Sequence, residues 1–199
     1  YPISVVLNAS TKTRDILYIK GTVSDNYLHI FVNHWPSNYG GKSKAIPKRA
    51  KTAAILRKKI EEILTQNPTA EIIVMGDINE DPTDVNVLGV LNSTLDIKSA
   101  NYPSYNLYNL MASHLGKEKT GTYFYRGKDL IYDQILVSPG LLDSVGLTVK
   151  SFSAEIHDFP KYRQQKGKYA HYPFRFWAGN QLLGGYSDHL AVHTKIIIK

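Results

Sequence analysis

The groups in this chain that could do chemistry stand where apolar runs stop. Asp77 and Asn79 lie in EIIVMGDINEDP, residues 71–82. Ile72, Ile73, Val74 and Met75 read as a buried strand that runs straight into Gly76, Asp77 and Asn79. Side chains at i and i+2 of an extended chain share one face, so Asp77 and Asn79 are expected to converge just past the strand end. Loops at strand ends are where functional groups concentrate. The competing explanation is a plain turn, since Gly, Asp, Asn and Pro are all turn formers.

Three other segments repeat this arrangement. GGYSDHLAV, residues 184–192, places Asp188 and His189 between a glycine pair and an apolar run. Asp188 offers a hard oxygen ligand, and His189 a ring that titrates near neutrality. Alternatively, Asp188 caps a turn and His189 packs in a strand. Asp133 lies inside LIYDQILVS, residues 130–138. A carboxylate there is costly to bury without a partner, and a histidine is a natural one; an edge position facing solvent is the other option. His34 follows the apolar run of FVNHWPS, residues 31–37. A carboxylate from elsewhere would fix its ring, or it is a structural histidine at a strand end. Together these groups supply what phosphoester hydrolysis needs: carboxylate oxygens for a divalent cation, an oriented water that loses a proton, and donors for the charge that builds on phosphorus.

Mixed elements must position these groups. Residues 14–23 and 27–33 read as a β-hairpin around Ser24-Asp25-Asn26. A Gly/Ser/Lys-rich loop leads to a helix over 47–66, with apolar Ala53, Leu56, Ile60, Ile63 and Leu64 at helical spacing and Asn67-Pro68 as its stop. Short helices are expected over 84–95 and 107–115. A second hairpin is expected from 121–126 and 130–138, and further strands over 145–156 and 189–198. Residues 157–185 are aromatic and basic without a regular period. Strands outnumber helices in mixed order, which points to an α/β (α+β) layered fold.

Composition narrows the rest. The chain has 199 residues, 43% hydrophobic and 21% charged, an ordinary globular balance. Its formal net charge of +7 favours acidic partners such as phosphates, nucleic acid or an anionic surface. A Lys-rich solvated face accounts for the charge equally well. There is no cysteine, which excludes disulfides, thiolate metal sites and Cys nucleophiles. No run approaches the roughly 18 apolar residues of a membrane helix. Asn8 and Asn92 begin sequons, a pattern too short to carry weight.

The ordered set FVNHWPS, IIVMGDINEDP, IYDQILVS and GGYSDHLAV resembles the endonuclease/exonuclease/phosphatase superfamily, the deoxyribonuclease-I-like metal-dependent phosphoesterases. It spans residues 31–192. TRDILYIKG and NHWPS-x-x-GG look like a bacterial branch, which implies a bacterial protein; the compartment stays open, with secreted and periplasmic among the options. The resemblance implies a four-layer β-sandwich flanked by helices, acting as a monomer with magnesium or manganese on a phosphodiester. DNA or RNA is the first expectation for that substrate, and a phospholipid or small phosphate ester the second.

The resemblance also implies roles. Asp77 orients or deprotonates the water. Asn79 holds that water and binds the scissile phosphate. His189 contacts phosphate and acts as acid or base, with Asp133 in support. Asp188 ligates or steers the metal, or pairs with a histidine, and His34 donates to a phosphate oxygen. Arg175 is expected to contact substrate in an aromatic segment whose rings stack on bases or sugars or pack under a long loop. Lys42, Lys44, Lys48 and Arg49 would line a phosphate backbone or belong to a solvated helix face. Glu80 and Asp81 are expected to be turn and solvent residues.

One departure stands out. The family carries a metal-binding Glu, preceded by an Asn, in its N-terminal sheet. Residues 1–33 contain no Glu, and Asp15 does not fit the place. The expectation is a single domain over 1–199, incomplete at its N-terminus. A non-catalytic phosphate- or nucleic-acid-binding domain of the same fold is the alternative.

Overall fold

Glu71–Asp77 is the middle strand of a seven-stranded mixed sheet. Across the sheet the order is Pro2–Ile3, Ile16–Val23, Asn26–His34, Glu71–Asp77, Asp133–Val137, Leu107–Asn109 and Ser93–Thr94. The structure is a computed structural model and describes residues 1–101 and 104–199. An apolar run without alternation marks a strand covered on both faces. Ile72 and Val74 join Phe31 and Leu136 in a core beneath the helix Lys42–Gln66, which contributes Ala53, Leu56, Ile60 and Leu64. Burying each of the larger three stabilises by about 1.5–3 kcal/mol. Ile73 faces the other way, into a second core with Ile135, Val137, Leu141 and Leu147. Short ladders, Leu147–Val149 with Ile196–Ile198 and Glu155–Ile156 with Val192–His193, lie on that side. The α/β class read from the sequence is the observed one, with a large central sheet and one long helix.

The first hairpin forms as expected. Ile16–Val23 pairs antiparallel with Asn26–His34. Ser24 and Asp25 both take positive φ, 44° and 68°, which suits the two-residue turn favoured by strand twist. On the second-core face this hairpin carries an apolar strip. Leu17 pairs with Val32 and Ile19 with Ile30, in line with His34. Leu17, Ile19 and Val23 are 45%, 42% and 40% exposed there.

Other expectations are corrected. The helix starts at Lys42 rather than at Pro47. A proline this near the start removes at most one early hydrogen bond, so the turn ahead of it survives. The second hairpin is shorter: Tyr123–Tyr125 pairs with Lys128–Leu130 through Arg126 and Gly127, both at positive φ. Asp133–Val137 leaves that hairpin and pairs with Glu71–Asp77 instead. The segment expected to be helical over 107–115 is a strand, Leu107–Asn109, and a 3-10 turn, Leu110–His114. Sheet pairing outweighs local periodicity there. Residues 84–95 hold a single π-turn, Asn86–Val90, and a short strand, Ser93–Thr94. Each of the two last expected strands is broken in two.

Candidate active site

Register alone brings three of the singled-out residues together. Asp77 pairs in parallel with His34 and antiparallel with Asp133. His34 and Asp77 end their strands and Asp133 begins its own at the same sheet edge, so the side chains form a row. The strand packing is close. Gly76 has φ 124°, and a Cβ there would lie 2.1 Å from the Asn33 carbonyl oxygen. A side chain at this position would force the two strands apart beside the site.

His189 arrives from the other side. Its Nδ1 lies 2.7 Å from Asp133 Oδ2 and its Nε2 4.0 Å from Asp77 Oδ2. The His34 Nε2 is 3.4 Å from the same Asp77 oxygen. Asn79 has φ 54°; its backbone N–H donates to Asp77 Oδ1 at 2.9 Å. The Asn79 Nδ2 donates to Asp77 Oδ2 and to the Trp35 carbonyl, each at 3.0 Å. The five residues expected to be catalytic, His34, Asp77, Asn79, Asp133 and His189, therefore meet at one point. They line a cleft of about 1050 Å³ together with Asp188 and Lys42.

Burial and charge tune these groups. Burial pushes the Asp77 carboxyl above its ordinary range; the His189 charge opposes this and the Asp133 charge adds to it. For His189 burial acts downward. The hydrogen bond His189 donates to Asp133 and the charges of Asp133, Asp77 and Asp188 outweigh it, so the ring is raised above its ordinary 6.5. The result is a carboxylate poised to take a proton next to an imidazole poised to keep one, a pairing suited to acid–base work.

Residues the sequence reading missed hold this geometry. The buried Thr122 hydroxyl accepts the backbone N–H groups of Tyr132 and Asp133, both at 3.0 Å. The Thr122 carbonyl accepts the Leu190 N–H at 2.7 Å. One residue thus fixes Asp133 relative to His189. The Tyr123 ring stacks on the His189 ring at 4.6 Å, and Ser187 Oγ accepts the His189 N–H at 3.0 Å. Strand alternation in GTYFYR hinted at Tyr123; nothing local marked Thr122.

Arg49 and Glu80 overturn expectations. Neither is a solvent residue: their side chains are 0% and 1% exposed and meet at 2.8 Å. Arg49 Nη1 also donates to the Pro36 carbonyl and to Asn38 Oδ1, each at 3.0 Å. Asn86 Nδ2 donates to Glu80 Oε1 at 2.7 Å. The ion pair ties the loop after His34 to the loop after Asp77. Asp81 is half-buried and accepts the Ile131 N–H at 2.8 Å. Asn38 Nδ2 donates to the Tyr132 hydroxyl, whose pKa burial pushes up to about 12.

Two assignments sit differently from the rest. Arg175 lines an adjoining pocket and not the cleft of His189. Lys42 lines the cleft, with its ammonium 3.8 Å from Asp84 Oδ1. Asp188 is an exposed rim residue, and among the described residues no group of three or more His, Asp or Glu is gathered to hold a metal ion. Asn79 and His34 occupy the two Asp77 oxygens, and His189 occupies Asp133 Oδ2. The residues present therefore do not form a magnesium or manganese centre by themselves.

A family model described as "Endonuclease/Exonuclease/phosphatase family" matches residues 2–198. No curated protein sequence matches the chain. Three of the solved structures that share the fold illustrate the likeness. One is the human Nocturnin catalytic domain with bound sulfate anion, 17% identical, TM-score 0.54, covering 100% of this chain and 58% of that one. Another is D. rerio TDP2 complexed with single strand DNA product, 16% identical, TM-score 0.56, covering 99% and 67%. The third is the Bacteroides thetaiotaomicron mannosyl-6-phosphatase, 17% identical, TM-score 0.50, covering 88% and 53%. The chain thus spans about half to two thirds of the length of the structures it matches.

Proposed function

The chain belongs to the endonuclease/exonuclease/phosphatase family, and from that membership we propose that it is a phosphodiesterase of nuclease type. The observation that carries this reading is the position of Asp77 Oδ2, 3.4 Å from His34 Nε2 and 4.0 Å from His189 Nε2. A water held against Asp77 attacks phosphorus and gives its proton to that carboxylate. The Asn79 side-chain oxygen, which accepts no hydrogen bond among the described residues, takes the water's other proton as a hydrogen bond. His34 donates to a phosphate oxygen. His189, kept protonated by Asp133, gives its Nε2 proton to the leaving oxygen as the phosphorus–oxygen bond breaks. Asp77 then returns its proton to solvent, and His189 takes one back.

Enzymes of this family generally depend on a divalent metal. We assign magnesium or manganese as the ion, for which the described residues gather no ligand set. None of the steps above is routed through it. A nucleic acid strand is the favoured substrate, in keeping with the DNA product in the TDP2 structure. A small phosphate ester is the second, in keeping with the sugar phosphatase. No described helix is long and apolar enough to cross a membrane. The alternative is a binding domain without catalysis, favoured by the lack of a gathered metal-ligand set. The test is hydrolysis of an oligonucleotide, bis(p-nitrophenyl) phosphate and mannose 6-phosphate, each with and without magnesium or manganese. Metal-dependent release from the two diesters supports the reading. Binding of all three without turnover under any condition supports the alternative.

A further inference from the structure

A second pocket, of about 630 Å³, adjoins the cleft. Tyr123, Tyr125 and Arg126 line both cavities. The pocket lies between the hairpin turn at Arg126–Gly127 and the aromatic segment over 164–183. That segment is pinned in place. Gly127 N–H donates to the Tyr172 hydroxyl at 2.8 Å. Arg163 grips Asp158 with two hydrogen bonds of 2.6 Å, donates to the His171 carbonyl, and lies over the Phe124 ring. Gly185 admits no side chain, since a Cβ would run into the Phe174 backbone. The pocket is thus built before any ligand arrives.

Its chemistry is one-sided. Arg126, Lys168 and Arg175 line it, and no carboxylate does. None of the three makes a salt bridge among the described residues. The cleft next door carries Asp77, Asp133 and Asp188, which repel an anionic substrate. The cations of the pocket add to the attraction that Lys42 and Arg126 give the cleft. The rings of Tyr125 and Tyr169 are 50% and 52% exposed. A site for phosphate alone needs cations and N–H donors but no exposed rings, and a lipid site needs an aliphatic lining, which here is limited to Ala178 and Leu183. Arg126 lies 5.2 Å over the Tyr125 ring and Lys168 5.6 Å over the Tyr169 ring, so a base that takes a ring face releases a cation to its own phosphate.

We propose that this pocket is a flanking-nucleotide subsite, which seats the nucleotide next to the scissile phosphate of a nucleic acid strand. The proposal rests on the phosphodiesterase reading for the cleft, and it specifies a substrate longer than one phosphate. Stacking on a tyrosine typically contributes about 1–3 kcal/mol per base, roughly 5- to 150-fold in affinity. The test is direct binding of a tetranucleotide in excess chelator, so that no turnover is needed. The wild type is compared with Tyr169→Ala and with Lys168→Glu. Both positions are solvent-facing, and thermal melts check that both variants fold.

The expected result is at least fivefold weaker binding for each variant, with a shallower salt dependence for Lys168→Glu. Tetranucleotide affinity equal to wild type in both variants overturns the proposal. So does mannose 6-phosphate or inorganic phosphate binding as tightly as the tetranucleotide, because then the pocket reads phosphate only. Diester hydrolysis separates the two readings. Pocket-dependent binding without hydrolysis defeats the phosphodiesterase reading and leaves the subsite. Hydrolysis with pocket-independent binding does the reverse.

Discussion

Asp77 faces His34 and Asp133 at the same time, one in parallel register and the other in antiparallel register. A central strand with unlike neighbours can do this; an edge strand cannot. The row it creates receives His189 from outside the sheet, so the site depends on two layers meeting correctly.

The Asp133–His189 contact sets a pH dependence. His189 is raised above 6.5, with burial pulling down and Asp133 pushing up harder. A raised imidazole stabilises the fold fully below 6.5, and that contribution is lost as pH rises through the folded value. The alkaline limb of activity is expected above 6.5. In Asp133→Asn the charge is gone and burial remains, so the limb moves to lower pH. A pH–rate profile of the two proteins checks this, and an unmoved limb counts against the assignment.

Thr122 is expected to act through Asp133 without touching substrate. Thr122→Val keeps the shape but leaves the Tyr132 and Asp133 N–H groups without their acceptor. An unsatisfied buried donor costs about 1–3 kcal/mol. Lower stability should accompany a pH profile shifted the same way as in Asp133→Asn, whereas Thr122→Ser should restore both. Melting curves and pH profiles measure this.

Arg49 and Glu80 form a buried pair whose loss is asymmetric. Removing one partner leaves an uncompensated charge, at about 3–5 kcal/mol. Arg49→Met should therefore destabilise strongly in urea unfolding, and Arg49→Met with Glu80→Met should recover part of the loss. A double variant no more stable than the single one contradicts this account of the pair.

Gly76→Ala tests the close approach of strands beside the site. Positive φ for a non-glycine residue costs about 1–3 kcal/mol, and the Asn33 carbonyl oxygen blocks the methyl group as well. Loss of stability and of activity together is the expected outcome. Full activity in this variant would show that the row of His34, Asp77 and Asp133 tolerates strand separation.

Much of the site was legible because each group ends an apolar run, and such runs become central strands. Asp133 with a histidine followed from the cost of a lone buried carboxylate, whereas Asp77 and Asn79 meet through a turn, with Asn79 at φ 54°, and not through the strand alternation expected. What stayed hidden was non-local. Nothing near Asp133 says that its strand leaves the hairpin for the Asp77 strand. Arg49 and Glu80 look like surface charges 31 residues apart in sequence, and only tertiary packing buries them as a pair. Residues 107–115 have helix-like spacing, yet pairing with Asp133–Val137 makes part of them strand. Arg175 was associated with substrate, but its pocket could not be separated from the cleft without the fold.

The central claim is that Asp77 and His189 act as one unit on a phosphodiester. A double-mutant cycle on kcat/KM, with Asp77→Asn and His189→Ala on bis(p-nitrophenyl) phosphate, tests it most directly. Each single change is expected to lower the rate about 10²- to 10⁴-fold, and the double change little more than the worse single one. Single variants that keep the wild-type rate, or losses that simply multiply, would contradict the claim.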